Sequence, residues 1–186
     1  MTLINLIGMS VKYRADLYKI IDLTKPVVEL GVAEGNFSRD MLNWPITKLY
    51  SVDAWQTLSQ RGDGGFEQSW HDSNYKKAVA LLKPFGERSV IIRGLTYEVA
   101  SQIPDESLGL LYMDADHSYE GVMRDLEAWY PKVIKGGYIS SHDYLSGEYG
   151  VQQAVKDFTR KNKIFEVLTI PENKPADAGC LFKKPC

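Results

Sequence analysis

The sequence predicts an α/β protein: a mostly parallel sheet with helices on both faces and one antiparallel strand near the C-terminus. Three observations carry this. Short apolar runs at residues 27–30, 49–52, 90–92, 108–113 and 138–140 alternate with segments of helical periodicity, as strand–helix units do. The first run leads into Gly31 and Gly35, four apart, and then a helical pattern, which reads as strand, tight turn and helix. The last two runs, 165–170 and 179–182, have no helical pattern between them, so one strand must run against the rest.

Residues 10–22 set Val11, Leu17, Ile20 and Ile21 among charges, which predicts an amphipathic helix within an N-terminal helical segment, residues 1–25. The helix after the glycine turn covers about residues 36–43 and breaks at Trp44-Pro45. The strand at 49–52 ends on Asp53. Residues 56–74 lose all periodicity around Gly64-Gly65 and read as a long loop, of the kind that is usually functional or disordered. A helix at 75–82, a turn at 84–86 and a strand ending on Arg93-Gly94 follow. The strand at 108–113 ends on Asp114, and Val122, Leu126, Trp129 and Val133 then fall at helical spacing, with Gly136-Gly137 closing that helix. The strand from Tyr138 ends on His142-Asp143, and residues 151–160 carry Val151, Ala154, Val155 and Phe158 on one helical face. Trp44 and Trp129 lie in helical patterns and are expected in the core.

With 186 residues and 44% apolar content, the chain is read as one domain, 1–186. Lys12, Arg14 and Asp16 interrupt any early apolar run, so no signal peptide is expected, and no run is long enough to span a membrane. A net charge of −2 without blocks of like charge argues against nucleic acid as the main partner. Cys180 and Cys186 make neither a Cys-x-x-Cys motif nor a disulfide framework, so a cytoplasmic location is expected. A homo-oligomer is compatible with this composition.

Ligands of open α/β sheets sit beyond the carboxyl ends of the strands, where the strand order switches. Here those ends carry Glu29, Asp53, Arg93-Gly94, Asp114 and His142-Asp143. Asp53 follows Gly31 by 22 residues, a spacing that sets a carboxylate against a ribose diol in nicotinamide and adenosylmethionine sites alike. The glycines separate the two. A dinucleotide fingerprint requires Gly-x-Gly-x-x-Gly, whereas Ala33 stands between Gly31 and Gly35. S-adenosylmethionine has no phosphate, and its sulfonium and ammonium suit a carboxylate-rich rim. No phosphate-loop Gly-Lys-Ser/Thr occurs. His117 and His142 lie near the reacting face, where a histidine suits removal of a hydroxyl proton near neutral pH. A structural histidine bonded to a loop carbonyl is the plain alternative for each.

Glu29-Leu-Gly31-x-x-x-Gly35-x-x-Ser38 resembles the first motif of class I S-adenosylmethionine-dependent methyltransferases. Asp114-Ala-Asp-His-Ser-Tyr119, the helix after it, and Gly136-Gly-Tyr-Ile-Ser-Ser-His-Asp143 resemble a bacterial and phage subset of them. That subset is similar to the macrocin-type sugar O-methyltransferases and, more distantly, to catechol and caffeoyl-coenzyme A O-methyltransferases. The resemblance spans residues 27–182 and is most specific in the Asp-Ala-Asp-His-Ser-Tyr segment. It implies a Rossmann-like class I methyltransferase sheet with S-adenosyl-L-methionine as cofactor. Glu29, Gly31, Gly35 and Ser38 would then surround the methionine end, Asp53 the ribose hydroxyls, and Ala54, Trp55, Gly94 and Thr96 the adenine. Asp114 falls where these O-methyltransferases bind a divalent metal, and His142-Asp143 matches the other two ligands; the alternative is that Asp114 pairs with the cofactor's ammonium while His142 acts as the base. The family often has Asp-Asp or Asp-Asn there, so His142 is a departure. Carboxylates suit Mg²⁺, and a histidine ligand leans toward Mn²⁺, Fe²⁺ or Zn²⁺.

The activity this implies is methyl transfer to a hydroxyl oxygen of a small molecule or sugar, metal-assisted or not, with Asp114, His117 and His142 as catalytic residues. The acceptor would lie under residues 56–74, a lid hinged at Gly64-Gly65 with Phe66, Trp70 and Tyr75 as apolar cover and His71 beside them. Two other readings stand: a nicotinamide-dependent sugar oxidoreductase, against which the absent middle glycine speaks, and a non-catalytic S-adenosylmethionine-binding protein.

Overall fold

The computed structural model describes residues 4–6, 9–57, 66–147, 150–172 and 174–186. The chain opens with β1 (Ile4–Leu6) and β2 (Met9–Val11), paired antiparallel. The main sheet holds β3 (Val27–Leu30), β4 (Leu49–Asp53), β5 (Ser89–Arg93), β6 (Leu108–Met113), β7 (Val133–Ser141), β8 (Leu168–Ile170) and β9 (Gly179–Lys183). Their order is β5-β4-β3-β6-β7-β9-β8. β9 pairs antiparallel with both neighbours, and the other pairings are parallel, as expected from the missing last helix.

The helices are α1 (Asn36–Leu42), α2 (Gln68–Leu82), α3 (Thr96–Val99), α4 (Tyr119–Trp129) and α5 (Val151–Lys161). They cover both faces. On one, Leu126 and Trp129 of α4 and Val155 and Phe158 of α5 pack on Val28, Leu30 and Leu111. On the other, Met41 and Leu42 of α1 pack with Leu17 and Ile21 on Val27, Leu49 and Leu110. Alternate residues of one strand thus enter opposite cores, which is why β6 reads as a continuous apolar run and β3 is apolar but for Glu29. Trp44 and Trp129 are core residues, 7% and 0% exposed.

From β3 the chain moves to β4 and β5 on one side, then crosses back to β6 on the other. After β3 it turns to the α1 face and after β6 to the α4 face, so a crevice opens beyond the ends of these two strands.

Three elements differ from the sequence reading. The amphipathic helix expected at 10–22 is instead β2 followed by a short 3₁₀ helix, Arg14–Lys19. Asp16 Oδ2 accepts from the N–H groups of Lys12 and Tyr13 and closes that turn early, while Leu17 and Ile21 still reach the core. α2 starts at Gln68, within the expected loop, because residues 68–74 carry no apolar stripe for periodicity to detect. α4 ends at Trp129 ahead of Pro131, and Gly136-Gly137 lies inside β7. There Gly136, at φ 76°, takes up a register shift between the Leu108–Val133 and Leu110–Tyr138 pairings. Of the expected lid, residues 58–65, including Gly64-Gly65, lie outside the described residues.

Candidate functional site

The turn after β3 is set by what lies against it. Gly31 has φ 85°, and a Cβ there would stand 1.9 Å from the backbone oxygen of Asp114. Only glycine meets both conditions. Gly35, also at φ 85°, caps α1, and a Cβ there would press on Ala78 of α2 at 3.2–3.3 Å. Ala33 between them has φ 49°, a sparsely populated region for a residue with a side chain.

Asp53 holds this turn. Its Oδ2 accepts from the backbone N–H groups of Val32 and Ala33, both at 2.9 Å, and its Oδ1 from the N–H of Trp55 at 2.7 Å. Trp55, 1% exposed, donates its indole N–H to the Ala33 carbonyl at 2.8 Å. The ends of β3 and β4 are therefore joined through one carboxylate, each oxygen of which keeps acceptor capacity.

Glu29 is 2% exposed. Its carboxylate takes a short hydrogen bond from the Ser38 hydroxyl, which also lies 2.8 Å from that of Ser51. Burial drives the carboxyl's pKa well above the usual range, with Ser38 opposing and the negative charge of Asp114 adding.

A cavity of about 950 Å³ opens over the crevice. It brings together Glu29, Gly31, Asp53, Ala54, Trp55, Thr96 and Asp114 of the expected cofactor residues, whereas Gly35, Ser38 and Gly94 stand behind it. Gly94 serves close packing, since a Cβ there would meet Val99 at 2.6 Å. The Thr96 hydroxyl donates to Asp125 of α4, and the Thr96 carbonyl accepts from the Trp129 indole at 2.9 Å. At the mouth, Phe66 and Trp70 stack at 4.0 Å, 55% and 41% exposed, with His71 beside them.

Past the Asp114–Ser118 turn lies a second cluster. His117 Nε2 is 3.2 Å from Asp114 Oδ1 and 3.3 Å from Asp143 Oδ2. His142 Nδ1 is 3.1 Å from Asp143 Oδ1 and 3.8 Å from Asp114 Oδ1. Pairing of β6 with β7 makes this possible, because it sets the Asp114 and His142-Asp143 strand ends side by side. Asp143 has φ 54°, which aspartate tolerates better than most residues. Ligand atoms of Asp114, His117 and Asp143 lie within 4.8 Å of one another. That group contains His117, which is not among the expected metal ligands, while the expected His142 lies against the same two carboxylates. His117 and His142 border a small adjoining cavity rather than the large one.

Sequence reasoning missed three participants. Arg14 lines the cavity beside Phe37 and Asp114, and its charge-rich stretch gave no sign of this. Asp125, 3% exposed, was hidden as one more acid in a helix. Gln68 donates to the Trp55 carbonyl and to Asp72, both at 3.0 Å, and Arg93, noted only as a strand end, donates to the same two acceptors at 2.8 and 3.0 Å. The apolar periodicity that finds helices carries no signal for such polar clasps.

Comparison with known proteins agrees with this geometry. A family profile described as a methyltransferase domain matches residues 28–144. An uncharacterised protein of Acanthamoeba polyphaga mimivirus is 29% identical over 144 residues, or 74% of the chain. The chain spans 59% of that relative, and 11% of a Sinorhizobium fredii protein to which it is 30% identical over 104 residues. Among solved structures, the O-methyltransferase NovP superposes with a TM-score of 0.66 at 22% identity, covering 87% of this chain and 72% of NovP. A Bacillus cereus O-methyltransferase in complex with SAH gives 0.64 at 13% identity, covering 87% and 74%. With a profile spanning the glycine turn through Asp143, and a sheet shared with these structures, the chain belongs to the methyltransferase-domain family and has the Rossmann-like fold of the class I S-adenosylmethionine-dependent methyltransferases.

Proposed function

We propose that the chain methylates a hydroxyl oxygen of a small molecule, a sugar among the candidates, with S-adenosylmethionine as donor. The observation that carries this is the imidazole of His117 held between Asp114 and Asp143 immediately beyond the large cavity. Transfer to a hydroxyl requires a proton acceptor next to the reacting oxygen. The names of two structural neighbours, both O-methyltransferases, support the same chemistry.

The cavity's residues fit the donor. Asp114 offers negative charge to a cationic end, and Glu29 a carboxyl that a bound cation would draw toward ionisation. Asp53, at the end of β4 and hydrogen-bonded to the turn that has no room for a side chain at Gly31, suits a ribose diol. Trp55 and Thr96 line the far end, where an adenine ring would sit. Bound there, S-adenosylmethionine supplies the methyl group on its sulfonium.

His117 then has a defined role. Contact of Nε2 with the two carboxylates orients the imidazole, which we assign as the group that takes up the hydroxyl proton. Asp114 and Asp143 stabilise the resulting imidazolium. The same three residues also fit a divalent ion, with a donor set of two carboxylates and one imidazole that suits Mn²⁺ or Fe²⁺ as well as Mg²⁺. When bound, such an ion acidifies and aligns a hydroxyl.

Calorimetry tests the donor: S-adenosylhomocysteine should bind one to one and NAD should not. Failure of S-adenosylhomocysteine to bind defeats the reading. Methyl transfer from labelled S-adenosylmethionine to hydroxyl-bearing but not amine-bearing small molecules, giving base-stable ethers, would support oxygen as the acceptor. Labelled amines as the only products would overturn it.

A further inference from the structure

Most charged groups lining the large cavity are acidic, with Glu29, Asp53 and Asp114 at its floor. Two guanidinium groups also line it. Arg124 is exposed and lies over the Tyr97 ring at 4.6 Å, at the Thr96 end. Arg14 stands at the opposite end, by Glu29 and Asp114, with its side chain 33% exposed.

Arg14 is held from three sides. Its Nη1 donates to the hydroxyl of Tyr112 at 3.3 Å, and Tyr112 is a 1% exposed residue of β6. Its guanidinium carbon lies 4.5 Å from the centre of the Phe37 ring in α1. Its Nε is 3.6 Å from Glu172, an ion pair without hydrogen-bond contact. Among the described residues, Nη2 has no hydrogen-bond partner. A phenol and a phenyl ring from the two elements flanking the crevice thus orient a cation that the fold itself leaves weakly paired. The 3₁₀ helix closed by Asp16 carries that cation over the sheet end.

We propose that Arg14 recognises the carboxylate at the methionine end of the cofactor. This rests on the donor named under Proposed function. An α-amino acid carries ammonium and carboxylate on one carbon, so its site must set acids beside a cation. Glu29 and Asp114 are the acids, and Arg14 and Asp114 are close enough for their charges to act on each other. A guanidinium presents paired N–H donors that match a carboxylate.

The experiment compares S-adenosylhomocysteine with its decarboxylated analogue, which keeps the ammonium and the nucleoside, by calorimetry on the full chain. The wild type should prefer the carboxylate-bearing ligand by roughly 10- to 100-fold, the range of a charge-assisted pair. Arg14→Gln should lose that preference while binding the analogue within about twofold of the wild type, which also shows that the variant is folded; a neutral amide cannot replace the paired charge. Arg14→Lys should keep part of the preference. Equal weakening of both ligands by Arg14→Gln would mean a structural role and overturn the proposal. An unchanged preference would overturn it too, and a raised acceptor KM in that case would assign Arg14 to the acceptor. A wild type that binds neither ligand defeats the donor reading as well, whereas a wild type with a preference that Arg14→Gln retains defeats the Arg14 assignment alone.

Discussion

At the scale of single residues, Glu29 couples stability to binding. Its folded pKa is raised, chiefly by burial. A carboxyl raised on folding stabilises the fold fully below its ordinary pKa, about 4–5, and that contribution is lost as pH rises through the folded value. Glu29→Gln keeps the protonated shape and removes the slope. We predict a melting temperature for this variant that is flatter from pH 5 to 8.5 and at least equal to the wild type at pH 8, followed by scanning fluorimetry. Cofactor affinity should fall, because an amide cannot give up a proton to meet a bound cation as a carboxyl can. Marked destabilisation at pH 8 would show instead that Glu29 is ionised and secured by Ser38. Gly31 makes a second test, since a Cβ there meets backbone that cannot swing aside. Gly31→Ala should cost about 2–4 kcal/mol in urea unfolding, combining left-handed strain with overpacking. Gly94→Ala should cost less, because its obstacle is the Val99 side chain.

At the scale of elements, α2 acts as a clasp on the segment after β4. Gln68 and Arg93 both donate to the Trp55 carbonyl, and Trp55 holds the glycine turn through Ala33. The Arg93–Asp72 pair is too exposed to add much by itself, so its effect should show in binding rather than in stability. Arg93→Ala is expected to raise the S-adenosylhomocysteine Kd several-fold with little change in unfolding midpoint, and Arg93→Lys to recover part of it. Asp53→Ala differs in kind. It orphans three backbone N–H groups and should lower both stability, by about 1.5–3 kcal/mol, and affinity. The contrast follows what was legible in the sequence. Short apolar runs mark the buried strands, so the acids in or just after them, Glu29, Asp53 and Asp114, stood out. Gly31 was legible because a positive φ leaves few residue choices. The start of α2 was not, as its first turns are polar on every side, and neither was Arg14, whose position depends on Tyr112, 98 residues away. Gly136-Gly137 misled because glycine ends helices and bulges strands with equal ease.

At the scale of the molecule, the order β3-β6-β7 divides the crevice between two tasks. The turn after β6 separates the large cavity from the imidazole–carboxylate cluster, and Asp114 belongs to both. Substitutions of His117, His142 and Asp143 should therefore change turnover and leave cofactor affinity nearly intact, whereas those of Asp114 should change both. His117→Ala should lower kcat by about 10²–10⁴-fold, the usual worth of a positioned proton acceptor. His142→Ala should cost less, since His142 Nδ1 lies farther from Asp114 Oδ1, at 3.8 Å, than His117 Nε2 does, at 3.2 Å. Whether that group holds an ion is decided by titrating Mn²⁺ alone into the protein, a measurement independent of activity. Asp143→Asn is the right partner for it, because asparagine also tolerates the left-handed backbone at φ 54° whereas alanine would add strain to the loss of charge. If the cluster is a metal site, the wild type binds Mn²⁺, Asp143→Asn and His117→Ala weaken that binding with S-adenosylhomocysteine affinity preserved, and a chelator suppresses turnover. If His117 instead serves alone as the base, Mn²⁺ does not bind, turnover survives the chelator, and His117→Ala removes the acidic limb of the pH–rate profile.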